Sequence, residues 1–321
     1  MAITKAPRNR TIEIFDEDEK RLEKSLIRLN SKQRKENLVN RIINQDLFEA
    51  AEYLPESFVD LLILDPPYNL SKDFNSTSFR EMSVTEYCNW IEEFISKISK
   101  TLKPEGSVYF CGEWKSSTSI HLVLEKYFKV RNRITWEREK GRGSKTNWKN
   151  NSEDIWFCTC GNKYTFNIED VKLKRKVIAP YRNGEGEPKD WIEEENGSYR
   201  ITYPSNIWND ISVPFWSMKE NTEHPTQKPE KLLAKLILAS SNEGDLVFDP
   251  FLGSGSTAAT AKKLGRNFLG VEIDRQYSLL ALKRLELAEN DRSIQGYHDD
   301  VFWERNSLNF VKTKRKKQVG D

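Results

Sequence analysis

Cysteine and histidine are scarce: the 321 residues include 4 cysteines and 3 histidines. Cys88, Cys111, Cys158 and Cys160 form no disulfide framework, so a reducing compartment is the expectation. Cys158-Thr159-Cys160 has no second close cysteine pair and no histidine near it in sequence. Buried strand cysteines are therefore preferred there, and no metal is expected. No apolar run is long enough to cross a membrane, and no signal-peptide pattern is read at the start. The expectation is a cytoplasmic protein without a membrane partner. Without secretion, the glycosylation-like Asn75-Ser76-Thr77 carries no weight. An excess of one charge is also missing: 51 Lys and Arg face 49 Asp and Glu, a net charge of +2. Overall charge does not announce a nucleic-acid binder.

What is present fits a soluble globular enzyme, with 37% hydrophobic and 31% charged residues. The length suits one large α/β domain with an inserted lobe, or two modest domains. Positive charge is local. Arg138, Lys140, Arg142, Lys145 and Lys149 form one cluster, and Lys172, Lys174, Arg175 and Lys176 another. A third lies in the tail at Lys312, Lys314, Arg315, Lys316 and Lys317. Each reads as a solvated face or a disordered tail, and the two internal clusters, beside Trp136, Trp148 and Tyr181, equally as a phosphate-binding surface.

Alternating strand and helix patterns run through the middle of the chain. Asp16 to about Asn37 reads as an appended surface helix with Leu22, Leu26 and Leu29 on one face. Short apolar runs at 42–43, 59–64, 107–111, 133–136, 155–158, 246–248 and 268–273 read as strands. Ser83 and Glu86 form a capping box. Tyr87, Trp90, Ile91, Phe94, Ile95, Ile98 and Leu102 then follow at helical spacing, and Pro104 and Gly106 end that helix. Further helices are read at 120–128, 229–240, 256–264 and 275–288. Residues 71–82 read as a mobile loop, and 161–223 as a lobe with no continuous core face. The order implies a parallel sheet covered on both faces. Five segments are expected: an N-terminal extension (1–37), a catalytic half (38–160), a recognition lobe (161–223), a cofactor half (224–290) and a C-terminal extension (291–321).

Two motifs carry chemistry, each at the end of a buried strand. Asp65-Pro66-Pro67-Tyr68 follows the run 59–64. Its prolines lack N–H groups and push their predecessors to extended geometry, so the turn is stiff. It presents a carboxylate, carbonyl oxygens and a flat ring at the carboxyl edge of a sheet, where open α/β folds bind ligands. That set suits a planar base gripped by its amino group. The second is Phe248-Asp249-Pro250-Phe251-Leu252-Gly253-Ser254-Gly255-Ser256-Thr257, a strand running into a glycine turn and a helix. Such a turn lets backbone approach a ligand, and the helix N-terminus favours an anionic group. Glu272 closes the next strand, placed to accept ribose hydroxyls. With Ala258 the turn also matches GxGxxA, so an NAD-dependent oxidoreductase is an alternative. The late position of the turn, and a proline-rich turn with no role in hydride transfer, argue against it.

Together these residues resemble the amino-group DNA methyltransferases that use S-adenosylmethionine, in the β class, where the catalytic motif precedes the cofactor motif. The resemblance covers roughly residues 40 to 290. Asp65-Pro66-Pro67-Tyr68 matches the catalytic motif, and Phe251-Leu252-Gly253-Ser254-Gly255 the cofactor loop. His224-Pro225-Thr226-Gln227-Lys228-Pro229 matches a signature that helps bind the methionine end, and Asp46 a position near the adenosine. The resemblance implies a Rossmann-like, seven-stranded, mostly parallel methyltransferase sheet with helices on both faces and an inserted target-recognition lobe. It implies a cofactor site of Asp46, His224, Thr226, Lys228, Asp249, Phe251, Gly253, Gly255, Thr257 and Glu272. Double-stranded DNA is the implied partner, with a homodimer and a cognate restriction endonuclease left open. Trp148, Arg142, Lys145 and Lys149 are candidates for DNA contact.

In that family Asp65 and the Pro66 carbonyl accept the amino N–H bonds of a flipped base, freeing its lone pair for in-line methyl transfer. Tyr68 stacks on the extruded ring. No Pro-Cys pair of the kind that C5-cytosine enzymes use is present. Asp before Pro-Pro-Tyr favours adenine N6 over cytosine N4 without settling it. RNA or protein-glutamine methylation, for which Asn usually stands there, is less favoured. Plain structural roles stay open: Asp65 as a turn cap, Asp46 as a helix N-cap, Lys228 as a surface lysine and Trp148 as lobe packing.

Overall fold

A computed structural model describes residues 6–75, 77–138, 143, 145–177, 181–194 and 197–305. Lys140, Arg142 and the basic run 312–317 lie outside the described residues. The helices are α1 (Asp16–Leu22), α2 (Leu47–Ala50), α3 (Val84–Ile98), α4 (Ser117–Tyr127), α5 (Glu230–Ser240), α6 (Ser256–Lys263) and α7 (Arg275–Asn290). The first strands are β1 (Arg41–Asn44), β2 (Val59–Leu64), β3 (Lys72–Phe74), β4 (Thr77–Phe79), β5 (Leu102–Gly112), β6 (Lys129–Glu137) and β7 (Ser152–Thr159). They continue as β8 (Leu173–Lys176), β9 (Ile192–Glu194), β10 (Gly197–Thr202), β11 (Ile207–Trp208) and β12 (Leu246–Asp249). The last are β13 (Asn267–Glu272), β14 (Tyr297–His298) and β15 (Val301–Trp303).

Eight strands form the central sheet, in the order β1-β13-β12-β2-β5-β7-β6-β11. Neighbours are parallel except where β7 meets β5 and β6. The eighth strand, beyond the seven expected, is the two-residue β11 on the edge of β6. Two residues are too few to show a period. Side chains alternate across the sheet, as the pleat requires. Leu62, Leu64, Val108, Phe110, Trp156 and Cys158 enter one core with α3 and α4. Leu61, Ile63, Tyr109, Cys111, Ile155 and Phe157 enter the other with α5, α6 and α7. Burial on both faces is why these strands read as continuous apolar runs.

Helix α3 forms as its pattern predicts. Ser83 and Glu86 close the capping box, and Tyr87, Ile91, Phe94, Ile95 and Ile98 are buried. It stops at Ile98, earlier than Pro104 and Gly106 suggest. β5 begins at Leu102, and those two residues fall where its register against β2 jumps, between the pairs Val59–Leu102 and Leu61–Ser107. Proline and glycine mark an irregularity in a strand there.

Two expectations are corrected. The helix expected over 16–37 shrinks to α1 and two single 3₁₀ turns (Glu23–Ser25 and Lys35–Asn37); Leu26 is extended (ψ 139°) and Ile27 bridges Ile43 of β1. Leu29 is buried and trades two hydrogen bonds with the Gln45 side chain. Pairing with the sheet edge replaces the intrahelical bonds. Residues 71–82, expected to be a mobile loop, contain the β3–β4 hairpin, and Phe79 packs edge-on against Trp90 at 5.1 Å.

The lobe does have a core, but it borrows it. β14, β15, β8, β10 and β9 form a second sheet. Val171, Leu173, Ile294 and Phe302 pack with Ala234, Leu238 and Ala239 of α5. Its strands are three to six residues long where they carry a pattern at all, so no face is continuous in sequence. The chain after α7 returns to it, with β15 parallel to β8, so the segments drawn at 161–223 and 291–321 are joined by a shared sheet.

Candidate active site

Parallel neighbours end together. β1, β13, β12 and β2 are consecutive in the sheet, so Asp46, Glu272, Asp249 and Asp65 fall in a row along its carboxyl edge. β7 runs the other way, so its beginning reaches the same edge and delivers Glu153. A cavity of about 430 Å³ opens there, lined among others by Asp46, Asp65, Tyr68, His224, Phe251 and Glu272. Its size is ordinary for a small-molecule site.

The Asp-Pro-Pro-Tyr turn is clamped to the start of α3. The Tyr87 hydroxyl donates to the Pro67 carbonyl at 2.9 Å, and the Asn69 amide brackets the backbone of Met82. Asp65 meets the ammonium of Lys228, with Nζ 2.7 Å from both carboxylate oxygens. Glu153 Oε2 lies 3.4 Å from the same nitrogen. It accepts the Tyr68 hydroxyl at 2.9 Å, while Asp65 Oδ1 is 3.3 Å from that hydroxyl. Arg138 pairs with the other Glu153 oxygen at 2.5 Å. Burial pushes the Asp65 carboxyl above its ordinary value, against the pull of Lys228 and with a push from Glu153. Burial works against charge on Lys228, but Asp65 and Glu153 overcome it and hold the ammonium above its ordinary range.

The glycine turn is built by close approach. Gly253 has φ +54°, and a Cβ on it would sit 2.9 Å from Nε2 of His224. Gly255 (φ +80°) would place one 2.5 Å from the Ala281 Cβ, so it lets α6 pack on α7. Glu272 accepts N–H bonds from Gly253 at 2.7 Å and Asp274 at 2.8 Å. Burial still pushes its carboxyl up to about 7. Asp249 accepts the Phe251 N–H at 3.0 Å and bonds Thr257, and burial pushes it too up to about 7. His224 stacks edge-on with Tyr277 at 4.4 Å, and burial pushes it down to about 3, so the ring is neutral. Its Nδ1 accepts the Thr226 N–H at 3.4 Å. Asp46 caps α2 through the Phe48 N–H at 2.8 Å, and it also lines the cavity.

All fourteen catalytic and cofactor candidates except Gly255 line this cavity. Trp148 does not; it is 94% exposed, and Lys145 and Lys149 are exposed on the same loop. Arg142 lies outside the described residues. Sequence reasoning missed Glu153, Arg138 and Cys111, which line the cavity as well. An acidic pair, Glu153-Asp154, opening the apolar strand β7 was the available signal.

Residues 59–283 match the N6/N4 family described as DNA methylase. The chain is 34% identical over 251 residues to the type II methyltransferase M.HpaI of Haemophilus parainfluenzae, covering 77% of this chain and 74% of that protein. It is 33% identical over 261 residues to the DNA adenine methyltransferase YhdJ of Escherichia coli K12, covering 79% and 85%. Among solved structures, the complex of M1.HpyAVI with S-adenosylmethionine matches with TM-score 0.53 at 23% identity, over 76% of this chain and 98% of that one. The cytosine-N4-specific PvuII methyltransferase matches with TM-score 0.56 at 17% identity, over 91% and 95%. The chain belongs to the N6/N4 amino DNA methyltransferase family, which takes its methyl group from S-adenosylmethionine. The site fits that cofactor. A Cβ at Gly253 would fill the cradle beside His224, and Glu272 lines the same cavity. With the family, the nicotinamide alternative falls away.

Proposed function

We propose that the protein methylates adenine at N6 in duplex DNA. The observation that carries this is Asp65: a half-buried carboxylate, its side chain 19% exposed, at a rigid turn in one cavity with the glycine loop. Asp65 and the Pro66 carbonyl accept the two amino N–H bonds of the base, which turns the nitrogen lone pair towards the methyl group. Pro67 fixes the turn through Tyr87, and Tyr68 offers its ring to the flipped base, a stack worth about 1–3 kcal/mol.

On the cofactor side, Glu272 suits the ribose hydroxyls and Phe251 an apolar ring face. Gly253, His224 and Thr226 suit the amino-acid end, with Asp249 and Thr257 holding the loop in shape. Asp46 serves the adenosine side from the cap of α2. Burial raises the Asp65 carboxyl, and Lys228 pulls against that rise. When bound, S-adenosylmethionine supplies an electrophilic methyl on a sulfonium. The names of M.HpaI and YhdJ support a role in restriction-modification or in DNA marking.

Cytosine N4 is the second reading, because the PvuII enzyme shares the fold. The test is direct. Unmethylated duplex DNA is incubated with the protein and S-adenosylmethionine, digested to nucleosides, and analysed by mass spectrometry. N6-methyldeoxyadenosine is expected; N4-methyldeoxycytidine alone would overturn the adenine assignment.

A further inference from the structure

Glu153 lies outside every motif the sequence shows, yet it touches both Tyr68 of the turn and Lys228, the cation on Asp65. Its side chain is 7% exposed. A buried carboxylate is costly unless fully paired, and this one has three partners: Tyr68, Lys228 and Arg138. The Tyr68 hydroxyl lies nearer to it than to Asp65, at 2.9 against 3.3 Å, so Glu153 is the stronger anchor of that ring.

Lys228 poses the question that Glu153 answers. Its ammonium sits astride both oxygens of Asp65. A substrate amino group needs lone pairs on that same carboxylate. The next acceptor for the ammonium is Glu153 Oε2, 3.4 Å away. A movement of under about 1 Å brings Nζ into full hydrogen-bond range of Glu153. The ammonium then stays paired and buried while Asp65 turns to the base.

We propose that Glu153 is a positioning residue for methyl transfer. It holds the Tyr68 ring, and it takes up the Lys228 ammonium as the substrate amino group takes up Asp65. The proposal rests on Asp65 being the amino-group acceptor.

The test is Glu153→Gln, which keeps size and an acceptor but removes the charge. Unmethylated duplex DNA amplified in vitro and tritiated S-adenosylmethionine are the probes, with enzyme in excess for single turnover. The rate constant should fall about 10²-fold, the scale of an ångström-sized misplacement. Cofactor affinity by calorimetry should be unchanged. The acid limb of the pH–rate profile should move to lower pH, because the Glu153 charge is one cause that pushes Asp65 up. A carboxylate that acts only through its charge would move that limb without slowing transfer, so a limb that stays in place, or a rate that stays at the parent value, overturns the proposal. If the single variant fails to bind cofactor, the double variant Glu153→Gln, Arg138→Gln removes the cation left unpaired, and the same shift is required of it. Asp65→Ala runs in parallel: full activity there would bring down the Asp65 reading itself. An inactive Asp65→Ala with an unmoved limb in Glu153→Gln would bring down only the role of Glu153.

Discussion

Two buried charge clusters grow from one stretch of chain, and they are inverted in sign. Just before α5, Lys228 is shared by two carboxylates, Asp65 and Glu153. On α5 itself, Lys231 and Lys235 share one carboxylate, Asp210, at 2.7 and 2.8 Å. In the first cluster the ammonium is held above its ordinary value despite burial. In the second, burial pushes Lys235 down to about 8 against Asp210, and the two lysines hold Asp210 below its ordinary value despite its own burial. The scarcer ion is the one held charged. The difference in use follows. Asp65 opens on the cavity at the carboxyl edge of the sheet and has a second carboxylate beside it to relieve it of its lysine. Asp210 carries both ammonium groups, and Lys231 also reaches the Trp303 carbonyl, so the cluster ties the lobe to α5.

The largest effect that would break this contrast is at Asp65. Asp65→Ala should lower the methylation rate by at least about 10²–10³-fold in a filter assay while calorimetric cofactor binding survives. Asp65→Asn, which keeps an acceptor, should leave residual activity. A fully active alanine variant would make the two clusters alike. Asp210→Ala should do the opposite, leaving two buried cations unpaired at a cost of about 3–5 kcal/mol in denaturant unfolding. Its rate per folded molecule should stay near that of the parent, and a selective loss of rate would join Asp210 to the active site.

Glu272 sharpens the comparison as a half-buried carboxylate held by backbone N–H groups, with no cation paired to it among the described residues. Its folded value, about 7, lies above the unfolded 4.5. The folded state therefore keeps the proton longer. That contribution is complete below about pH 4.5 and is lost as pH rises through about 7, roughly 3 kcal/mol across the window. Glu272→Gln should flatten the fall of cofactor-free stability over that range, and an unchanged slope would show the group ionised throughout. The smallest effect is at the exposed end of the scale. If Lys145 and Lys149 meet phosphates, replacing both with Ala should reduce the salt dependence of DNA binding by about one unit of slope per lost contact. An unchanged slope places them away from DNA.

Much of this was legible in the chain. The unbroken apolar run Leu61–Leu64, and others like it, marked strands buried on both faces, and Ser83 with Glu86 marked the start of α3. The turn at 65–68 and the glycines at 253 and 255 were visible because prolines and left-handed glycines are local requirements of the backbone. Glu153 was hidden because only the antiparallel direction of β7 brings its first residues to the cofactor edge. The lobe was hidden because most of its core belongs to α5 and the segment after α7.

The residues of this chain, taken alone, determine the chemical parts: a carboxylate on a stiff turn, a glycine loop, and a lysine behind a histidine signature. They act through torsion limits and periodicity, which reach only a few neighbours. The tertiary structure decides who meets whom. Strand order sets four acids in a row, Lys228 crosses 163 residues to reach Asp65, and Glu153 completes the pair. Such pairings depend on desolvation and distance in three dimensions, and no local pattern encodes them.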